Sequence, residues 1–248
     1  MNLFGKIQKT VRHNFLPQNV AHTLVESSAV FIWMGSTIVF YYVVGKIFPQ
    51  LEFLQFENAI AIIATYFVGD GLMFGLLYRN LQKLGTEIEQ GKVENFLLLP
   101  TNTMKYIGFR NIQFASLIQI PIALAMLLIW GEFTFLNLAF WMVSMVVGFY
   151  LAYNFWMIFS FISFWYKVGD QTTVMYEELV QMGLFPLKIY LAFKLFWPLL
   201  PIAFIASGGY EVLSEGTYWV IGVQAGILLL AVLLRNILWS LGLRRFRR

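Results

Sequence analysis

From Ser27 onward the chain is apolar, with polar positions recurring at intervals close to a membrane thickness. Crossing the hydrocarbon takes about 20 residues of helix, and on that ruler spans fall at roughly 27–48, 59–78, 112–130, 136–166, 187–207 and 218–241. The fourth exceeds one straight crossing, so it tilts or its end, Phe161 to Tyr166, extends to the aqueous boundary. In the fifth, Pro198 and Pro201 interrupt the helix, and Ser207-Gly208-Gly209 follows closely. Ahead of the first span, Leu3, Phe4, Ile7 and Val11 share one helical face and Lys6, Lys9 and Arg12 another. Residues 1–26 are too polar for a secretory signal and read as an amphipathic segment lying in the headgroup region, with Pro17 ending its helix.

The one sizeable polar interruption is residues 79–110, between spans two and three. There Leu81, Leu84 and Ile88 fall at i, i+3 and i+7, which predicts an amphipathic helix up to about Gln90, stopped by Gly91. Lying between two spans, it is expected on the membrane surface. Residues 170–182, opened by Asp170 as N-cap, predict a second such helix, whose Glu177 and Glu178 meet a partner or water.

Composition supports this reading. Hydrophobic residues make up 59% and charged residues 12%, against roughly 25% charged in a soluble domain. The fold class is therefore an all-α integral membrane protein. The absence of cysteine excludes disulfides and thiolate metal sites, and His13 and His22 cannot hold a metal alone. The net charge of +4 does not point to nucleic acid, because the cations cluster at span ends. With six spans and both termini cytoplasmic, every one of the 17 lysines and arginines falls inside except Lys46, at an outer span end, and the intramembrane Lys194 and Arg235.

Two stretches carry a family resemblance. Residues 88–100, Ile-Glu-Gln-Gly-Lys-Val-Glu-Asn-Phe-Leu-Leu-Leu-Pro, resemble a segment of the permease subunits of ABC-2 type exporters, specifically the six-span subfamily without a fused ATPase domain. Phe185-Pro186-Leu187-Lys188-Ile189-Tyr190, with Pro198 and Pro201 after it, is similar to a second segment of that family, with Phe185 standing where tyrosine is usual. The resemblance implies a single transmembrane domain over 27–248, a re-entrant hairpin between spans five and six, and a coupling helix between spans two and three received by a separate ABC ATPase. On that basis Glu87, Glu89, Lys92 and Glu94 form the polar part of the ATPase contact, Leu84, Ile88 and Val93 its buried part, and Gly91 the turn between them. Two ATPase copies bind the ATP and magnesium, and no cofactor belongs to this chain. A second permease completes the pathway as homodimer or heterodimer, in the plasma membrane of a prokaryote.

The residues agree that the chain is not itself an ATPase. From Gly85 to Gly91-Lys92 five residues intervene where a phosphate-binding loop has four, and Val93 stands where Ser or Thr would bind magnesium. Abundant aromatics and sparse intramembrane charge favour a lipophilic or amphiphilic cargo, a drug or natural product ahead of a lipid or linked glycan. Asp70, Lys194 and Arg235 lie inside spans at about 12, 10 and 9 Å from the cytoplasmic ends, so they either cluster or, for the two cations, snorkel to the interface. Two other classes remain: a membrane-embedded lipid-modifying enzyme, for which inner acids are few, and a proton-coupled carrier, for which Gly69-Asp70-Gly71 is the candidate coupling site. The Gly71/Gly75 and Gly222/Gly226 pairs permit close helix contact, read first as packing within the subunit.

Overall fold

The computed structural model describes residues 17–48, 56–100, 102–130, 133–169, 171, 174 and 200–246, and every regular element among them is helical. α1 (Pro17–Ile47) leads to α2 (Phe56–Leu72), which widens into a π-helical segment, Met73–Tyr78, and continues through α3 (Arg79–Leu81) and α4 (Leu84–Glu89). Two short helices follow, α5 (Val93–Leu97) and α6 (Thr103–Phe109). The chain then turns into α7 (Phe114–Leu117) and α8 (Gln119–Trp130). α9 (Phe135–Phe161) ends in a 3-10 turn, and α10 (Leu200–Glu215) and α11 (Trp219–Phe246) close the bundle.

Four runs are long and apolar enough to cross a membrane: Ser27–Ile47, Ala59–Glu89, Phe135–Phe164 and Trp219–Arg245. A fifth is reached if Thr103–Phe109 and Phe114–Trp130, bent by 75° to each other, count as one. These correspond to spans one, two, three, four and six. The expected amphipathic face near the N-terminus, residues 187–199 of span five with Lys188 and Lys194, and nearly all of the 170–182 helix lie outside the described residues.

Two expectations need correcting. The helix ending at Glu89 does not lie apart on the surface; it prolongs span two. No glycine or proline breaks the chain between Leu76 and Leu84, and Leu77, Leu81, Leu84 and Ile88 continue one buried stripe past the end of the apolar run. At 1.5 Å per residue the 31-residue run is about 46 Å long, well beyond a hydrocarbon core of about 30 Å. Span five, read as ending at 207, continues instead, with Ser207-Gly208-Gly209 inside a helix that runs to Glu215. All three are buried inside α10, where the missing side chains let helices approach: a Cβ on Gly208 would lie 2.7 Å from Gln224 Nε2, and one on Gly209 2.8 Å from Met145 Sδ. The reversal before α11 comes later, at Gly216, whose φ of 62° suits glycine.

Packing divides between two apolar clusters. One joins α1, α2, α8, α9 and α10 around Phe67, Trp141, Met145 and Val212. The other gathers Leu77, Leu81, Leu84, Ile88 and Val93 against Trp156, Met157 and Phe161 of α9. Gly71 and Gly75 pack within the chain, since a Cβ on Gly71 would lie 2.7 Å from Ile120 Cγ1 and one on Gly75 would overlap Leu117 Cδ2. Gly222 and Gly226 of α11 face open space.

Candidate functional site

The site is the elbow where the extension of span two meets the start of span three. Its pivot is Asn80, fully buried. Its amide donates to the carbonyls of Leu76 and Asn111, each at 2.8 Å, and its oxygen accepts from the backbone N–H and side-chain amide of Asn111 at 2.9 and 3.1 Å. Just N-terminal to it, the π-helical turn presents the Gly75 carbonyl to the N–H of Gln113 at 2.8 Å. Residues 110–113 are non-helical, so these are the bonds that satisfy their backbone at the 75° bend.

A charged pair closes the same elbow. Arg110 Nη2 donates to both oxygens of Glu87, at 2.7 and 2.8 Å, and also to the Asn80 carbonyl at 3.2 Å. The two side chains are only 13% and 16% exposed. A pair this sheltered couples more strongly than a surface pair, and removing one partner strands the other. The guanidinium also stacks over Phe96 of α5, its carbon 5.0 Å from the ring centroid. Glu89 reaches the other way: its Oε1 accepts the Gly169 N–H at 2.6 Å, tying the extension to the chain beyond span four. Gly85 and Gly169 permit that crossing, since a Cβ on Gly85 would lie 2.6 Å from the Gly169 oxygen.

The expected coupling residues therefore divide. Leu84, Ile88 and Val93 are buried at 0–2% exposure in the chain's own core, against α9, so the apolar part of a partner contact cannot be theirs. Glu87 is engaged by Arg110, and Glu89 holds Gly169 while remaining exposed. Gly91 ends α4 with φ 73°, as the sequence predicts. Lys92 and Glu94 are exposed, together with Gln90 and Asn95.

Of the three intramembrane charges only Asp70 and Arg235 are described, and each has partners other than the other. Asp70 Oδ2 accepts the Gln119 amide at 2.9 Å, and its carboxylate also accepts the Tyr66 hydroxyl. Arg235 instead donates to Asn236 Oδ1 at 2.9 Å and lies 5.9 Å from the Tyr153 ring centroid. Asp70 thus faces Gln119 of α8 while Arg235 faces α9, so among the described residues the acid's partners are neutral donors. Lys194 lies outside the described residues. Among the described residues no group of His, Cys, Asp and Glu is arranged to hold a metal.

Sequence reasoning missed Asn80, Asn111 and Gln113, and treated Arg110 only as a topology marker. The one signal was local: four hydrogen-bonding side chains, Arg110, Asn111, Gln113 and Asn80, flank a bend at the border of apolar runs.

Residues 31–248 match the sequence model of a family described as ABC-2 family transporter protein. The chain belongs to the ABC-2 transporter family. It is a membrane component of transport, not itself a catalyst, of a kind that normally works with an ABC ATPase. No curated protein and no solved structure matches the chain.

Proposed function

We infer that this ABC-2 protein is the permease subunit of an exporter driven by a separate ATPase, with the exposed edge of residues 89–95 receiving that ATPase on the cytoplasmic side. The observation that carries the reading is the clasp. A push on the 84–97 segment is transmitted through Asn80, Glu87–Arg110 and Glu89–Gly169 to spans two, three and four together, because buried hydrogen bonds leave the elbow no slack. Lys92, Glu94, Gln90 and Asn95 form the polar contact. The exposed Leu98 supplies an apolar one in place of the buried Leu84, Ile88 and Val93.

Both termini are cytoplasmic in this reading, the membrane is the prokaryotic plasma membrane, and two ATPases and a second permease, identical or different, complete the assembly. The cargo is lipophilic or amphiphilic, a drug or natural product ahead of a lipid or linked glycan. Tagged protein purified from its native membrane in mild detergent tests the reading. Wild type is expected to bring down an ATPase that the Lys92→Glu, Glu94→Arg double variant loses while keeping its melting temperature. Recovery of the wild type alone, folded and without any ATPase, would remove the basis for the reading.

A further inference from the structure

A cavity of about 1090 Å³ lies between α6, α9 and α11, distinct from the exposed edge of the elbow. Lys105, Arg110 and Arg235 all line it. Glu87 neutralises Arg110, but among the described residues neither Lys105 nor Arg235 has a carboxylate partner. Arg235 is nine residues before Arg244 on α11, about 14 Å along the axis, where a cation without a counter-charge is costly.

Two buried polar atoms there are also unsatisfied. Arg110 Nε has no acceptor, and Asn154, 2% exposed, has no donor to its Oδ1. The orientation of that amide is fixed, because its nitrogen donates to the Tyr150 carbonyl at 2.6 Å. The cavity is thus lined by two cations without a carboxylate partner among the described residues, and by two residues that each hold an unpartnered buried polar atom, a donor on Arg110 and an acceptor on Asn154. Leu228, Val232 and Trp239 of α11 give it an apolar wall.

We propose that this cavity binds an amphiphile whose head carries both a phosphate and a hydroxyl group. The phosphate lies between Lys105 and Arg235, the hydroxyl donates to Asn154 Oδ1, and the acyl portion lies along α11. A phosphate with a free polyol, as in a phosphatidylglycerol headgroup, meets all three demands. A phosphocholine lipid supplies the tail and the phosphate, but it offsets the phosphate with its own cation and has no hydroxyl for Asn154. A soluble polyol phosphate shares the head chemistry and lacks the tail.

The test uses the full-length protein reconstituted in nanodiscs of mixed phosphatidylglycerol and phosphatidylcholine, then extracted in mild detergent and analysed for retained lipid by mass spectrometry. Wild type is expected to retain phosphatidylglycerol over phosphatidylcholine by at least about fivefold relative to the disc, the scale of one interfacial charge contact. Lys105→Gln with Arg235→Gln is expected to bring the ratio to parity, Asn154→Leu to reduce it, and Arg235→Lys to keep most of it. Displacement of the lipid by glycerol 3-phosphate would assign the site to the free polyol phosphate; no displacement assigns it to the lipid. Equal retention of both lipids by wild type overturns the site regardless of how the variants fold. Enrichment unchanged in a folded double-glutamine variant overturns it as well. ATPase capture by the elbow is measured separately, so failure of one leaves the other standing.

Discussion

Asn80 concentrates more of the elbow's bonding than any charged residue in it. Its side chain gives one amide hydrogen to Leu76 on its own helix, and its other amide hydrogen and its oxygen to Asn111 across the bend, and no water reaches it to replace them. Asn80→Ala strands the Asn111 backbone at the bend, and a loss of roughly 2–3 kcal/mol is expected, read as a lower midpoint in thermal or detergent unfolding. Asn80→Asp keeps the acceptor but sets a carboxylate oxygen against the Leu76 and Asn111 carbonyls in a buried position, so a loss at least as large as that of alanine is expected. For Glu87 and Arg110 the informative measurement is a double-mutant cycle with glutamine at each position. A coupling of about 1.5–3 kcal/mol is expected for a sheltered pair, against well under 1 kcal/mol if the contact were a surface one. Asp70→Asn keeps an oxygen for Gln119 and Tyr66, and stability within about 1 kcal/mol of wild type is expected. Asp70→Leu leaves both donors unpaired and falls further. A large loss in the asparagine variant would mean that the carboxylate charge itself is bonded in the fold.

At the scale of elements, glycine spacing alone does not say which helix faces are packed. Gly71/Gly75 and Gly222/Gly226 are the same pattern in sequence, yet the first pair meets Ile120 and Leu117 and the second meets nothing within 4 Å. Alanine at 71 or 75 is therefore expected to cost about 1–3 kcal/mol by overpacking, and alanine at 222 or 226 less than about 0.5 kcal/mol in the isolated subunit. Comparable losses at both pairs would contradict this assignment of faces. Length and apolarity located spans one, two, four and six, and span three if its bent pair counts as one, because burying about 20 residues in hydrocarbon leaves a strong composition signal. The elbow was only half legible. The stripe Leu81, Leu84, Ile88 and the stop at Gly91 were visible in the spacing, but a stripe buried against α9 and one awaiting a partner look alike. The continuation of span two into α4 depends on what packs against it, and the clasp depends on residues about 30 positions apart. Neither leaves a local periodicity.

For the whole molecule, the family assignment rests on residues 31–248, and the molecule divides between an exposed apolar exterior and a locked basic end. Ile32, Val39, Leu128, Leu229, Leu230 and Leu233 expose their side chains along the spans, as lipid contact requires. The buried hydrogen bonds of the elbow lie at the end that carries Arg79, Lys83, Lys92 and Lys105. In the proposed reading a separate ATPase delivers work at this end, and a clasped elbow passes displacement on to several spans at once. The most direct measurement is photo-crosslinking in the native membrane, with a benzophenone amino acid at Gln90, Lys92 or Glu94 and, as control, at the lipid-facing Leu230. Adducts to one ATP-binding protein from the three elbow positions, absent at Leu230, are the predicted result. A folded protein yielding no such adduct from any elbow position would contradict the claim that the elbow is where an ATPase drives this permease.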